Sequence, residues 1–309
     1  MASIEFNNYD DDGKDIETKT IKSLNILVAG LTGSGKSSII KSLCSSTDVT
    51  DNMTKMSIRS VTKNITMYSN KKIVNPNDPE DEYMVNLFDT VGLGDNNIDV
   101  PTILKQIIEY MPKDLSKIDK IVFCFKMDRL RAKMSEELSI LYNFFKMVGA
   151  NPNNFVVCLT FCDILNDDTI LHFWNELKDL EDLPMVKEVE TVTYTSFPNI
   201  AECDKDESLV RYLQRKARTS RRRVFESVIL KEATPFYPHH TMMKMPQVDF
   251  DALCNILRSF KAGKRSWFRG LIDNKTQQEE IMDQLRKLRA PLVDQDKKKE
   301  TAVDKNAKK

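Results

Sequence analysis

No stretch of this 309-residue chain approaches the roughly 20 consecutive apolar residues that cross a bilayer, so its pattern speaks against a membrane-spanning helix. Neither sign of charge is in excess: Lys plus Arg and Asp plus Glu number 46 each. The balance removes the electrostatic case for nucleic acid, or for an acidic target, as the partner of the whole chain. The six cysteines, Cys44, Cys124, Cys158, Cys162, Cys203 and Cys254, form no CxxC pair and no even framework. A chain this long needs no stapling, so the thiols read as free and largely buried in a reducing compartment. Cys158 and Cys162 alone fall short of the four ligands of a structural zinc site, and adjacent His239 and His240 read as an exposed loop pair. There is no secretory leader pattern, no glycine after Met1 and no prenylation box in the final NAKK. A soluble, cytoplasmic protein is the expectation, and no internal repeat is visible.

Glycine is also scarce, at nine residues, which makes a glycine-spaced motif hard to meet by chance. Yet residues 30–37 read GLTGSGKS directly after the apolar run LNILVA and before the helical SSIIKSL. That is a phosphate-binding loop in its expected place, between a strand and a helix. Glycines permit the tight turn that converges backbone N–H groups on an anion, and the following helix adds its free amides and dipole. Gly30, Leu31, Thr32, Gly33, Ser34, Gly35, Lys36, Ser37 and Ser38 are therefore the candidate phosphate seat. Lys36 is expected at the β- and γ-phosphates, and Ser37 at Mg2+.

Short apolar runs alternate with longer amphipathic stretches. Strands are predicted at Leu24–Ala29, Thr62–Tyr68, Tyr83–Asp89, Ile121–Lys126, Phe155–Thr160 and Thr191–Tyr194, and helices at Lys36–Cys44, Val100–Met111, Ser135–Val148 and Thr169–Leu180. This order predicts an α/β fold: a mostly parallel six-stranded sheet with helices on both faces, plus a C-terminal helical extension. One hairpin is expected within Thr54–Asp89, turning through NPNDPEDE at 75–82. The expected organisation is an acidic disordered N-terminus at 1–21, a nucleotide domain at 22–232, a helical extension at 233–290 and a basic disordered tail at 291–309. Ser208–Lys231 reads as one long basic helix, TPFYPHHTMMKMP at 234–246 as a loop, and Asp249–Leu271 and Gln277–Arg289 as helices.

In open α/β sheets ligands bind past the carboxyl ends of the strands. Asp89 ends the run MVNLF and opens DTVG, a placement that suits a carboxylate holding Mg2+ through water, with the Gly92 N–H near the γ-phosphate. Thr54, Thr62 and Thr66 compete for a threonine that closes on metal and γ-phosphate; Thr62, before the second strand, is preferred. TFCD at 160–163 follows the fifth strand. There Thr160 borders the site, and Asp163 can accept two hydrogen bonds from guanine but finds no such donors on adenine, which selects GTP or GDP over ATP. Phe197, in TSFPNI, either stacks on the base or lies in the core.

GLTGSGKS, SVT, FDTVGLGD and LTFCD, in this order, resemble the immune-associated nucleotide-binding (IAN/GIMAP, AIG-type) GTPases, relatives of septins and chloroplast import receptors. VFCFKMDRLRAKMSEEL at 122–138 is similar to that group's extra box, and the resemblance spans about residues 22–232. It implies GTP/GDP and Mg2+ as cofactors, and pairing of copies into a homodimer or oligomer with an arginine of the extra box acting in trans. By motif position that is Arg129; the alternative is an arginine paired locally, for instance with Asp128. The chain departs from the pattern at Val91, where proline is usual, and at Phe161 and Cys162, where basic residues are common. Phe161 either covers the base in place of an aliphatic stem, or base selectivity is relaxed. Leu93 stands where many GTPases carry a glutamine that orients water, so slow hydrolysis is expected; a GTP-bound scaffold with little turnover is the alternative, and an ATP-using P-loop enzyme is a third reading if Asp163 does not reach the base. The basic cluster at 215–223 reads as a solvated helix face, with an anionic membrane surface or a protein effector as the other uses, and with them a location peripheral to a membrane.

Overall fold

The computed structural model describes residues 2–4, 21–44, 64–93, 100–127, 132–162, 165–179, 183–196, 207–258, 279 and 281–288. Six strands lie in the order β3 (Thr66–Asn75), β4 (Asp78–Asp89), β2 (Ile21–Gly30), β5 (Lys120–Lys126), β6 (Phe155–Thr160) and β7 (Thr191–Tyr194). All neighbours are parallel except β3 and β4, which form the expected antiparallel hairpin. A seventh strand, β1 (Ala2–Ile4), pairs antiparallel with the start of β2. The disorder expected of residues 1–21 therefore does not hold for Ala2–Ile4 or for Ile21, whose backbones pair with each other's strand; Met1 and residues 5–20 lie outside the described part. The continuous apolar runs have a plain cause: Ile26, Leu27, Val28 and Ala29 in β2 are fully buried, because both faces of a central parallel strand are covered.

Side-chain alternation divides these residues between two faces. Leu24, Ile26, Val28, Val85, Leu87, Val122, Cys124, Val156 and Cys158 share one cluster with Ile39, Ile40 and Leu43 of α1 (Lys36–Leu43). The other face holds Leu27, Phe88, Phe123, Phe125, Phe155 and Val157, all buried, with Phe123 and Phe155 stacked at 5.9 Å. Five cysteines, Cys44, Cys124, Cys158, Cys162 and Cys254, are free and buried, as expected, while Cys203 lies outside the described residues.

Several boundaries differ from expectation, each for a local reason. The hairpin turn is Pro76–Asn77 rather than 75–82, because the Asn75 side chain accepts from the Asn77 N–H at 2.9 Å and closes a tight turn. Residues 78–82 then continue β4, and Lys72 pairs with Glu82 across the hairpin at 2.8 Å. The long basic helix is two pieces: α6 (Glu207–Val224), then a π-helical segment, Phe225–Leu230. An i→i−5 bond, Lys231 N–H to Glu226 O at 3.1 Å, marks the change. It sets Val224, Phe225, Val228 and Ile229 together in the sheet cluster, with Phe225 edge-on to Tyr83 at 5.6 Å. The loop expected at 234–246 contains α7 (Pro238–Lys244), opened by a proline at its first position. His239 and His240 thus sit on a helix, the first half-buried and the second exposed. The next helix, α8, runs Gln247–Arg258; the rest of the stretch expected to 271 lies outside the described residues, and a last helical segment covers 281–288.

The chain separates into two compact units. The first (1–98, 118–139 and 151–235) contains every strand, α1, α6, α4 (Asp167–Asp179) and α5 (Pro184–Glu188). The second (99–117, 140–150 and 236–309) groups α2 (Val100–Tyr110), the C-terminal part of α3 (Ala132–Met147), α7 and α8. Within it Phe145 meets Phe144 and Phe236 edge-on, at 5.4 and 6.4 Å.

Lys120, at the start of β5, is 2% exposed and donates to Asn153 O at 2.9 Å. Burial, reinforced by the charge of Lys231 and opposed by Asp119, brings its pKa down to about 8. Above that value the unfolded chain holds the proton that the folded chain has lost, so folding stability gains with pH. Between about pH 8 and pH 10 the gain is read as the difference between wild type and Lys120→Met, because in both proteins Lys36 acts in the same sense and Cys124, raised to about 12, and Cys158, also raised, act in the opposite one; above pH 10 Tyr68 and Tyr83, raised to about 12, oppose it as well. Urea denaturation across this range should show wild-type stability rising relative to that of Lys120→Met; equal slopes would refute this account of Lys120.

Candidate functional site

β2 delivers the chain to residues 30–35, and Lys36 begins α1. Gly30, Gly33 and Gly35 have φ of 149°, 76° and 82°, the region that favours glycine, so the loop folds back on itself within six residues. Gly30 also passes close beneath β5, where a Cβ would stand 2.5 Å from Cys124 O. Gly35 is the N-cap of α1 and supplies no side-chain bond, so the first helical amides have no side-chain cap. Thr32 Oγ1 and Ser34 Oγ are buried and have no hydrogen-bond partner among the described residues. Buried hydroxyls cost free energy unless paired, and here they lie in a loop whose backbone chemistry favours an anion.

The Lys36 side chain is 6% exposed, with Nζ 3.2 Å from Gly30 O and 3.0 Å from Leu31 O. Burial lowers its pKa, offset in part by the charge of Asp89. The parallel register sets Val28 beside Asp89, so β2 and β4 end together and the two exits share one edge. Ser37 Oγ donates to Asp89 Oδ2 at 2.7 Å. Past Asp89 the backbone stays zipped to the loop: Thr90 N–H to Val28 O at 3.1 Å, Leu93 N–H to Gly30 O at 3.0 Å and Thr32 N–H to Leu93 O at 2.8 Å. Gly92 consequently lies flat against Thr32, where a Cβ would stand 2.4 Å from Thr32 Oγ1. Leu93 is 1% exposed.

β6 supplies a third wall. Thr160 Oγ1 lies 2.8 Å from Ser34 O and 3.1 Å from Phe125 O, tying the loop to the sheet. Phe161 follows with φ 61° and its ring against Gly35, 3.5 Å from where a Cβ would be. Lys126 sits over that ring, 5.2 Å from its centroid. Sequence reasoning did not pair Lys126 with Phe161; the parallel register of Lys126 with Thr160 brings them together across two strands. The structure thus joins Gly30, Leu31, Thr32, Gly33, Ser34, Gly35, Lys36, Ser37, Ser38, Asp89, Gly92 and Thr160 at one sheet edge. Thr62, Arg129, Asp163 and Phe197 lie outside the described residues. Thr66, the competitor of Thr62, stands opposite Asp89 in β3.

A parallel sheet, a glycine loop leading into a helix and a serine–aspartate pair define the class: a P-loop α/β fold. Residues 20–133 match the family model for Septin. No curated protein matches the chain by sequence. Among solved structures, Toc33 from Arabidopsis thaliana in complex with GDP and Mg2+ is similar at 16% identity and a TM-score of 0.46, over 70% of this chain and 88% of that one. A structure concerned with dimerization in the GTPase activity of the chloroplast translocon components atToc33 and psToc159 is similar at 18% identity and a TM-score of 0.40, over 64% and 84%. An Era variant from Aquifex aeolicus, bound to GDP and AlF4−, is similar at 17% identity and a TM-score of 0.40, over 63% and 57%.

Proposed function

We propose that this chain is a guanine-nucleotide-binding protein of the AIG type: a slow GTP hydrolase whose nucleotide state controls self-association. The observation that carries the reading is the junction of the glycine-held loop, buried Lys36 and the Ser37–Asp89 pair on one sheet edge. The loop amides and the Thr32 and Ser34 hydroxyls suit phosphate oxygens. Lys36 offers its ammonium to them in place of two backbone carbonyls. Ser37 and Asp89 are hard oxygen donors fitted to Mg2+, which commonly takes one or two protein ligands and completes its shell with phosphate and water. When bound, Mg2+ neutralises charge that builds on the phosphate oxygens. Thr62 closes over the γ-phosphate side and Asp163 selects guanine, while Thr160 ties the phosphate loop to the sheet.

Slow turnover follows from Leu93. Its side chain is buried and its N–H is committed to Gly30 O, so the position after Gly92 offers no group to orient water. That same observation favours a second reading, a GTP-bound scaffold that barely turns over. Arg129, supplied by a second copy, would separate the two by stabilising the charge that develops on the γ-phosphate. Membrane or effector binding through α6 is the less favoured use of its cations. Arg211 and Arg222 pair with Glu207 and Glu226 at 3.1 and 2.7 Å, and Arg223 stacks 3.9 Å from the Tyr194 ring centroid. These are contacts of a solvated helix face. Among the described residues no helix is long and apolar enough to cross a membrane.

Single-turnover hydrolysis at rising protein concentration tests the reading. The rate per protomer should climb with concentration in the wild type and stay low in Arg129→Ala, on the order of 10³-fold below the paired wild type if the arginine acts in trans. A concentration-independent rate favours the scaffold. Displacement of bound GTP by ATP at equal concentration would overturn the guanine assignment.

A further inference from the structure

Two polar side chains of α6 bond backbone outside their own helix. Ser220 is 3% exposed, on the helix face that also buries Leu213 and Val224. A mid-helix serine is a poorer helix former than alanine, so burial alone does not call for its hydroxyl. That hydroxyl accepts from the Ser196 N–H at 2.8 Å. One turn earlier, Lys216 Nζ donates to Leu165 O at 3.3 Å. Residues four apart share a helix face, so one side of α6 holds two separate backbone points. Ser196 follows the exit of β7, and Leu165 follows the exit of β6.

From these points hydrogen bonds lead to the phosphate loop. Thr195, beside Ser196, is 1% exposed; its N–H donates to Leu159 O at 2.8 Å and its carbonyl accepts from the Cys162 N–H at 3.1 Å. The Leu165 N–H reaches Cys162 O at 3.4 Å. Between Leu159 and Cys162 stands Thr160, whose Oγ1 lies 2.8 Å from Ser34 O. β7 is a four-residue strand at the edge of the sheet, beside β6, so its exit gains from a support outside the sheet.

We propose that Ser220 and Lys216 are positioning residues that make α6 a brace on the β6 wall of the nucleotide site, and so set how long a nucleotide stays bound. This rests on the nucleotide-site reading above. Neither side chain touches the ligand. The Ser196 N–H is buried, so without the Ser220 oxygen it is unpaired while the wall is closed, and it meets water when the wall opens. The loss falls on the closed, bound state. It speeds release and leaves capture, which starts from the open wall, unchanged.

Release and association of GDP carrying a fluorescent ribose label, measured on the full chain, test the brace. Ser220→Ala should release the label about five- to a hundredfold faster, at an unchanged association rate. Lys216→Met keeps the apolar stem and should release about two- to tenfold faster with a Tm close to wild type. Arg218→Met, at an exposed position on the same helix, should release as wild type does. Adding Thr160→Val to Ser220→Ala should change release by less than the two substitutions do separately, because both loosen one wall. Wild-type release in both Ser220→Ala and Lys216→Met, whatever their Tm, would overturn the brace and leave the nucleotide site standing. Slower association at unchanged release, equal effects in Arg218→Met, or strict additivity with Thr160→Val would overturn it as well. Should Ser220→Ala fail to fold, Lys216→Met decides alone. If the wild type retains neither labelled GDP nor GTP, the nucleotide-site reading has failed and the brace falls with it.

Discussion

Lys36→Met should lose GTP and GDP affinity by two to three orders of magnitude while the unliganded protein becomes no less stable. The two halves come from one fact. The ammonium is buried against two carbonyl oxygens and its pKa is lowered by that burial, so the folded chain carries a desolvated cation. Removing a charge that pairs with a buried anion costs about 2–5 kcal/mol, which corresponds to roughly thirty- to several-thousandfold in affinity. Methionine keeps the apolar stem packed and removes the desolvated charge, so the free protein has little to lose. Calorimetric titration and thermal melting of the same preparations check both halves. Undiminished affinity in Lys36→Met would sink the assignment of this loop to phosphate, and a large drop in Tm would mean that Lys36 is chiefly structural.

Gly92→Ala should be the most damaging single methyl group in the described site. The new Cβ would lie 2.4 Å from Thr32 Oγ1, 2.6 Å from Thr32 Cα and 2.8 Å from Thr32 N. A side chain could rotate away, but Cα and N belong to backbone. That backbone is fixed on both strands of the contact, by Thr32 N–H to Leu93 O and by Leu93 N–H to Gly30 O. Relief therefore requires separating the phosphate loop from the segment after Asp89. Overpacking of this kind costs about 1–3 kcal/mol before lost hydrogen bonds are added. A Tm lower by roughly 5–10 °C is expected, with nucleotide affinity falling as the two halves of the site part. Gly33→Ala is the control: it has a positive φ but open space around the added methyl, so only the backbone strain of about 1 kcal/mol applies. Equal effects at Gly33 and Gly92 would show that conformational strain, and not the close approach, sets the cost.

The parts of the site visible in the sequence were those held by neighbours along the chain. GLTGSGKS is one strand exit, one turn and one helix start, and each role follows from residues within a few positions. The strand Phe155–Thr160 was legible to the residue because the apolar run of a covered parallel strand ends abruptly in a polar turn, and Thr191–Tyr194 because its β-branched and aromatic residues alternate buried and exposed as an edge strand does. The π-helical segment was illegible, since it answers to the sheet cluster that Phe225, Val228 and Ile229 must reach rather than to helix propensity. Ala2–Ile4 looked like the start of a disordered acidic arm because its partner, Ile21–Ser23, lies across residues that carry no strand pattern.

Local spacing was enough to specify an α/β chain with an anion-seating loop, a strand-end carboxylate and buried thiols, because period, turn chemistry and helix dipole act over a few residues. Only the folded chain decided how close these pieces come. The Val28–Asp89 register brings Ser37 to Asp89 at 2.7 Å, and the Lys126–Thr160 register brings a lysine to Phe161. Register is set by how whole strands bury their faces against one another, a sum over the sheet that no window of sequence contains.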